Sequence, residues 1–393
     1  MGALIRWFRL WISQFQDSRL LRDDLRSDDK TGTVLVMKMD AIGDFLIFLD
    51  SAREYRNLFP EKRLVLLCRK FCVDLAKKAD PSLFDEYISE DEAKERQFDI
   101  LINAVFSRTR SMDVLASKIR ASRKIAMKAD ESAVNLSRRL TGWRIRRLCD
   151  GIYDELIDTE KYLTAVRSDY PPEIMELNRN AAFIRGLGDP KFKSSVFLFD
   201  EEALGTEKGG YFVLFPGANS ERRRWSAQSY AGVLDHIFSR TSLSCLVCGS
   251  ENEKPILDEI VSYLKPDNCL RVKDYMGRTT LLELSEVIRK SSFLLGNDTG
   301  GIHMAVSVGV PSICIAGESH IGRFIPYMPE SHTDSPLPVV VHAGMNCKGC
   351  VHGKKTFRCL WSVFIKRHFE CILRITEQDV INVLDKGGFL ENG

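Results

Sequence analysis

Charge of one sign is what this chain lacks. Lysine and arginine number 56 against 54 aspartates and glutamates, leaving a formal charge of +2 over 393 residues. A dedicated nucleic-acid binder carries a strongly basic footprint, so no nucleic-acid partner is expected. Long apolar runs are also missing, and none approaches the ~18 residues that a membrane-spanning helix requires. No secretory leader is expected, because Arg6 and Arg9 interrupt the apolar stretch MGALIRWFRLWISQF. Arg6 also stands where a myristoylation signal needs Ser or Thr. Eleven cysteines form an odd set in a large chain, which predicts reduced thiols and a cytoplasmic setting over a disulfide framework. A 44% hydrophobic and 28% charged composition is that of a folded chain and excludes disorder.

Within residues 4–15, Leu4, Ile5, Trp7, Phe8, Trp11, Ile12 and Phe15 recur at helical spacing. The resulting face suits a helix lying on the inner surface of the cytoplasmic membrane, or one packed on the protein itself or on a second subunit. Residues 1–30 are therefore an amphipathic extension and linker. Thr33–Met39 then reads as a strand, Gly43–Phe59 as a helix, and Arg63–Cys68 and Phe98–Val105 as strands, with a helix over Met112–Arg120. Residues 131–170 look irregular, and Pro171–Leu187 helical. After a glycine-rich stretch the alternation restarts: strands over Tyr211–Phe215, Leu243–Cys248, Phe293–Leu295 and Ser312–Ala316, separated by helical patterns. Alternation of this kind predicts an α/β fold of two doubly wound, Rossmann-like domains facing a central cleft. Their expected extents are 31–195 and 205–375, followed by a C-terminal helix over 376–393.

Five constellations can carry chemistry. Asp40-Ala41-Ile42-Gly43-Asp44 follows the first strand, and Gly43 permits a tight turn there. Asp44 at the helix start reads either as a general base or as an N-cap. Gly296-Asn297-Asp298-Thr299-Gly300-Gly301-Ile302-His303 joins a strand to a helix start, where backbone N–H groups and the helix dipole favour an anion such as a pyrophosphate. It does not follow the dinucleotide GxGxxG pattern. The stretch from Phe215 to Trp225 offers Asn219 and Ser220 as donors, with Arg222, Arg223 and Arg224 as planar forks for phosphate. Cys347 and Cys350, with Cys359 and Cys371 downstream, form a set that either holds a structural zinc or is simply buried; His342 and His352 lie close by. Cys245 and Cys248 fall in a strand and read as core. Finally, residues 101–150 hold 12 basic against 4 acidic side chains, while residues 71–100 hold 4 against 9. The basic stretch is either a patch for an anionic acceptor or membrane surface, with Arg108 and Arg110 as acceptor-side candidates beside Gly43, or a solvated face balanced by its acidic neighbour.

Three of these stretches occur in one order: VLVMKMDAIGDFLIFLDSAREYRNLFP, VLFPGANSERRRWSAQSYAGVLDHI and LLGNDTGGIHMAVSVGVPSICIAGES. Together they resemble glycosyltransferase family 9, the heptosyltransferases of lipopolysaccharide assembly. The resemblance implies a GT-B fold and inverting sugar transfer with no cofactor or metal ion. It implies ADP-heptose or a similar nucleotide sugar as donor, and a glycolipid or oligosaccharide as acceptor. It implies Asp44 as general base, and a phosphate-binding loop at Asp298, Thr299 and Gly300, with Gly301 and His303 following. Arg223 stands where the family more often has lysine, and Glu251 or Glu253 matches the family's ribose contact. Two other functions fit the residues: a sugar-nucleotide epimerase of the same architecture, and a non-enzymatic module binding glycolipid or membrane.

Overall fold

The computed structural model describes residues 24–26, 30–129, 146–164, 174–199, 209–345 and 368–391. The amphipathic face of residues 4–15, and Cys347, Cys350, His352 and Cys359, lie outside that range. The chain divides into two compact units. The first takes residues 1–40, 51–164 and 179–192; the second takes 41–50, 165–178 and 193–393.

Each unit is built on a six-stranded parallel sheet. In the first the strands are β1 (Thr33–Lys38), β2 (Arg63–Cys68), β3 (Glu86–Ile88), β4 (Gln97–Asn103), β5 (Arg120–Met127) and β6 (Glu155–Ile157), ordered β3-β2-β1-β4-β5-β6. In the second they are β7 (Tyr211–Phe215), β8 (Ser244–Val247), β9 (Val272–Asp274), β10 (Leu294–Asn297), β11 (Ser312–Ile315) and β12 (Val339–Val341), ordered β12-β11-β10-β7-β8-β9. Read from the other edge, the second order repeats the first, so the doubly wound topology occurs twice. Central strands covered on both faces have no wet side, and their sequences are accordingly unbroken apolar runs. Val34 to Met37 of β1 and Leu64 to Leu67 of β2 are fully buried.

Five helices matter for the argument: α1 (Ile42–Ala52), α2 (Arg110–Lys118), α3 (Ala227–Arg240), α4 (Gly300–Ser307) and α5 (Glu377–Lys386). The helix expected over Gly43–Phe59 is in fact two, α1 and a short turn at Glu54–Leu58. The stretch 131–170, read as irregular, contains β6 and a 3-10 turn at Thr159–Tyr162. In the second unit, Ser226 caps α3 by accepting from the Ser229 N–H. The buried face of α3 packs Tyr230, Val233, Leu234 and Ile237 into the core beside Phe212 and Phe293. Phe212 and Phe293 stack at 4.9 Å, and Trp225 meets Tyr230 edge-on at 4.9 Å. Each such ring pair adds about 0.5–1.5 kcal/mol beyond simple burial. Cys245 and Cys248 are fully buried, as core thiols should be. Burial pushes the Cys248 thiol up to about 12, so it stays protonated and inert.

Candidate functional site

In an open parallel sheet, ligands bind beyond the carboxyl ends of the strands where the order reverses. In the second unit that point lies between β7 and β10. Two of the sequence constellations leave these two strands directly: residues 216–225 follow β7, and residues 298–301 follow β10.

Asn297, the last residue of β10, ties the two loops together. It is buried, and its Nδ2 donates to the Pro216 carbonyl at 2.5 Å and to the Gly217 carbonyl at 3.3 Å. Its Oδ1 accepts from the Trp225 N–H at 3.2 Å. Trp225 in turn donates its indole N–H to the Ile375 carbonyl at 2.9 Å, anchoring the end of the arginine stretch in the core. The loop after β7 therefore has a fixed entry and a fixed exit.

Between those anchors the three arginines part company. Arg222 is exposed, and its carbonyl accepts from the Phe369 N–H. Arg224 turns back on its own loop, donating to the Ala218 carbonyl at 3.2 Å, with its other end 3.9 Å from Glu253. Arg223 alone reaches across to β10 and β11. Its Nη1 lies 3.1 Å from Nε2 of His320, whose Nδ1 bonds to Asp298. Asp298 is buried, which by itself would raise its carboxyl. His320, bonded to it, together with His303 and Arg223, holds it below the ordinary carboxylate range instead. Asp298 thus orients cations and stays charged.

Thr299 occupies the N-cap position of α4, yet its side chain makes no capping bond. Its Oγ1 is buried and has no hydrogen-bond partner among the described residues. The first-turn N–H groups of any α-helix lack intrahelical acceptors, so the start of α4 offers donors and a positive dipole end. His303, in the next position of the motif, is a core residue. Its Nδ1 bonds to the Tyr327 hydroxyl at 2.7 Å, and burial holds its pKa down to about 4.

The start of α1 belongs to the same unit and packs on this turn. The Ile42 side chain covers Gly300, and a Cβ at Gly43 would fall 2.6 Å from Cδ2 of His303. Only glycine allows that approach. The helix begins at Ile42, so Asp44 is a first-turn residue and not the N-cap. Asp44 is half-buried. Asn219 is exposed and Ser220 half-buried on the loop after β7.

The two ribose candidates separate clearly. Glu251 is exposed. Glu253 accepts from the N–H and hydroxyl of Ser250 at 2.9 and 2.8 Å, and a Cβ at Gly217 would lie 2.0 Å from its other oxygen. Glu253 therefore faces the loop after β7, and Glu251 does not share that contact.

On the acceptor side the structure corrects one reading. Arg108 is buried, not displayed on a patch. It forms ion pairs with Asp113 at 3.1 Å and Asp150 at 2.6 Å, donates to the Met127 carbonyl, and covers the Tyr153 ring at 4.7 Å. Three others of the basic stretch are likewise matched: Lys124 with Asp24, Arg123 with Glu155, and Lys128 with Asp158. Arg110 opens α2 and is half-exposed. Cys371 is buried, and His342 bonds to Glu318 at 3.2 Å. Among the described residues no cluster of potential ligands is suited to a metal ion. No helix of the described residues is long and apolar enough to cross a membrane.

The family model for glycosyltransferase family 9 (heptosyltransferase) matches residues 179–357, which take in β7 to β12 and both loops of the site. The resemblance to family 9 is borne out over those residues. The lipooligosaccharide heptosyltransferase 2 of Campylobacter jejuni subsp. jejuni serotype O:6 is 25% identical over 174 residues, 44% of this chain and 50% of that protein. The chain spans about half the length, or less, of the curated relatives it matches. Among solved structures, the Escherichia coli ADP-heptose LPS heptosyltransferase II superposes with a TM-score of 0.62 at 16% identity, covering 91% of this chain and 98% of that one. The glycosyltransferase family 9 structure from Veillonella parvula DSM 2008 gives 0.63 at 15%, covering 94% and 100%. These likenesses establish the GT-B fold. Sequence reasoning missed His320, which sits in no recognised motif. The signal available was its place in the loop after β11, the strand beside β10.

Proposed function

We propose that the chain is a glycosyltransferase that moves a heptose from ADP-heptose onto a lipopolysaccharide or lipooligosaccharide acceptor with inversion at the anomeric carbon. The observation that carries the reading is the convergence, in one unit, of the Asp44 helix start, the Thr299 turn and the Arg223 guanidinium. Each supplies a group the reaction needs.

Asp44 takes the proton of an acceptor hydroxyl. The freed oxygen attacks the anomeric carbon from the face opposite the diphosphate; the new C–O bond forms as the bond to phosphate breaks, and ADP leaves. The transition state has oxocarbenium character. Negative charge grows on the leaving diphosphate, where Arg223 and the N–H groups at the start of α4 meet it. Asn219, Ser220 and Arg224 line the same loop, and Glu253 is placed better than Glu251 for the donor ribose. Names among the relatives support the choice of donor and acceptor, since one structure is described as an ADP-heptose LPS heptosyltransferase. On this reading the chain acts at the cytoplasmic side of the membrane, where nucleotide sugars are made.

The test is a thermal-shift panel of nucleotide sugars on the purified chain, followed by transfer assays. A true donor raises the melting temperature by mass action. Asp44→Asn should keep donor binding and lose turnover by ~10²–10⁴-fold. Transfer at the wild-type rate by that variant, or no stabilisation by any nucleotide sugar, would refute the assignment.

A further inference from the structure

We infer that His320 is the positioning residue that holds Arg223 in place for the donor diphosphate. The inference rests on the reading that Arg223 meets that diphosphate, and it concerns a residue outside every motif of the site.

The bonding pattern fixes the imidazole. A guanidinium nitrogen can only donate; Nη1 of Arg223 lies 3.1 Å from Nε2 and 3.4 Å from Nδ1 of His320, and Nδ1 already faces the Asp298 carboxylate, so Nε2 is the acceptor. The ring proton then sits on Nδ1 and is donated to the Asp298 carboxylate. Carboxylate, imidazole and guanidinium stand in a row, with the deepest member buried and the outermost reaching the site. The backbone of His320 is pinned as well. Its N–H donates to the Gly317 carbonyl at 3.1 Å, and its carbonyl accepts from Phe324 at 3.1 Å and Arg323 at 3.2 Å. The ring leans on Phe324 at 5.0 Å. A rigid imidazole on a rigid loop thus selects one placement for a long side chain with many rotamers. Preorganisation of this kind strengthens binding by removing the ordering cost at the moment of binding. It also explains how a buried carboxylate serves an anion site. Asp298 spends its charge on His320, and through it orients the cation that faces the phosphates.

The experiment is calorimetric titration of the full chain with ADP and with adenosine. Wild type should bind ADP more tightly than adenosine. Arg223→Ala should reduce ADP affinity by about tenfold or more, the scale of a charge-assisted bond. His320→Ala should weaken ADP by about threefold to tenfold, the size of an ordinary coupling between neighbours, and leave adenosine within about twofold. The double variant should bind ADP as Arg223→Ala alone does, because His320 acts only through Arg223. His320→Gln, which can still offer an acceptor to Arg223, should recover part of the loss. Should His320→Ala fold poorly because Asp298 is left unpaired, Asp298→Asn with His320→Ala removes the stranded charge and carries the same expectation. Unchanged ADP affinity in the His320 variants, or losses that multiply in the double variant, would overturn the inference while leaving the phosphate role of Arg223 intact. Indifference of wild type to the diphosphate would bring down the underlying reading, and the inference with it.

Discussion

Gly43→Ala is the most discriminating substitution the structure offers. The added methyl would lie 2.6 Å from Cδ2 of His303, closer than carbon atoms approach without displacement. His303 cannot yield freely, because its ring is buried and its Nδ1 is held by Tyr327 at 2.7 Å. The helix must move instead, by about 1 Å if ordinary carbon contact near 3.5–4.0 Å is to be restored. Overpacking of this order costs about 1–3 kcal/mol. For a unit of this size that is a fall of roughly 2–10 °C in melting temperature. The same shift carries Asp44, two positions inside the helix. A displacement of ~1 Å at a reacting group costs about 10²-fold in rate. Donor affinity should hold, since Arg223 and the loop after β7 are untouched. The assay is differential scanning calorimetry of wild type, Gly43→Ala, His303→Ala and the double variant. Gly43→Ala should cost less in the His303→Ala background, where the space is open. An unchanged melting temperature for Gly43→Ala alone, or equal costs in both backgrounds, would refute the reasoning.

Further outcomes follow from the same geometry. His303 is held down to about 4 from 6.5 in the folded chain, so its contribution to stability is complete above pH ~6.5 and is lost as pH falls toward 4. The loss is about 3 kcal/mol on linkage grounds, and unfolding measurements at pH 7, 5.5 and 4.5 should show it in wild type and not in His303→Gln. Asp298, held below its ordinary 3.8, gives way only at still lower pH, which separates the two groups. Asn297→Ala removes three hydrogen bonds and strands the Pro216 carbonyl and the Trp225 N–H, for a loss of about 2–4 kcal/mol measured by urea unfolding. Arg108→Met should destabilise the first unit by about 3–5 kcal/mol, because Asp113 is left as an uncompensated buried carboxylate. A change below 1 kcal/mol would return Arg108 to the list of surface contacts.

The parts of the fold legible in the sequence are those whose signal is local. β2 and β7 match their expected bounds because a strand covered on both faces is an uninterrupted apolar run with turn residues at each end. β3, β6, β9 and β12 carry no such signal, three residues each being too few for any period to show, and β5 carries none because three basic residues interrupt its eight. The break between α1 and the Glu54–Leu58 turn was equally silent, since Arg53 is neither glycine nor proline. At the site, the loops after β7 and β10 were visible as strand-to-helix junctions rich in glycine and arginine. Which arginine faces the site shows only through the family resemblance, not in the residues themselves, because Arg223 and Arg224 differ only in what lies across from them, His320 in one case and Ala218 and Glu253 in the other. Arg108 was misread for the complementary reason. A run of basic residues looks like a patch until its acids, distant in sequence, fold beside it.

The two units share one strand order, so topology alone does not say which holds the charged end of a donor. The chemistry at the two reversal points does. In the first unit that point lies between β1 and β4. Its strands end in Lys38, whose ammonium is fully buried against Asp40 at 2.8 Å and the Ala104 carbonyl at 3.2 Å, and in Asn103, which donates to Tyr153 at 2.8 Å. The nearby Arg108 is closed off by Asp113 and Asp150. Cations there are already neutralised and dry, and freeing one for a phosphate would cost several kcal/mol. In the second unit the corresponding point ends in Asn297, which fixes two loops, and in Asp298, which steers a cation through His320 without capturing it. Arg223 remains half-exposed, and at the start of α4 the Thr299 hydroxyl bonds to nothing among the described residues. A diphosphate gains charge-assisted bonds at the second point at little desolvation cost, and at the first would have to break an existing pair for each one. On the proposed function the donor's phosphates therefore fall to the second unit, by the difference between charges that are satisfied and charges that are held ready.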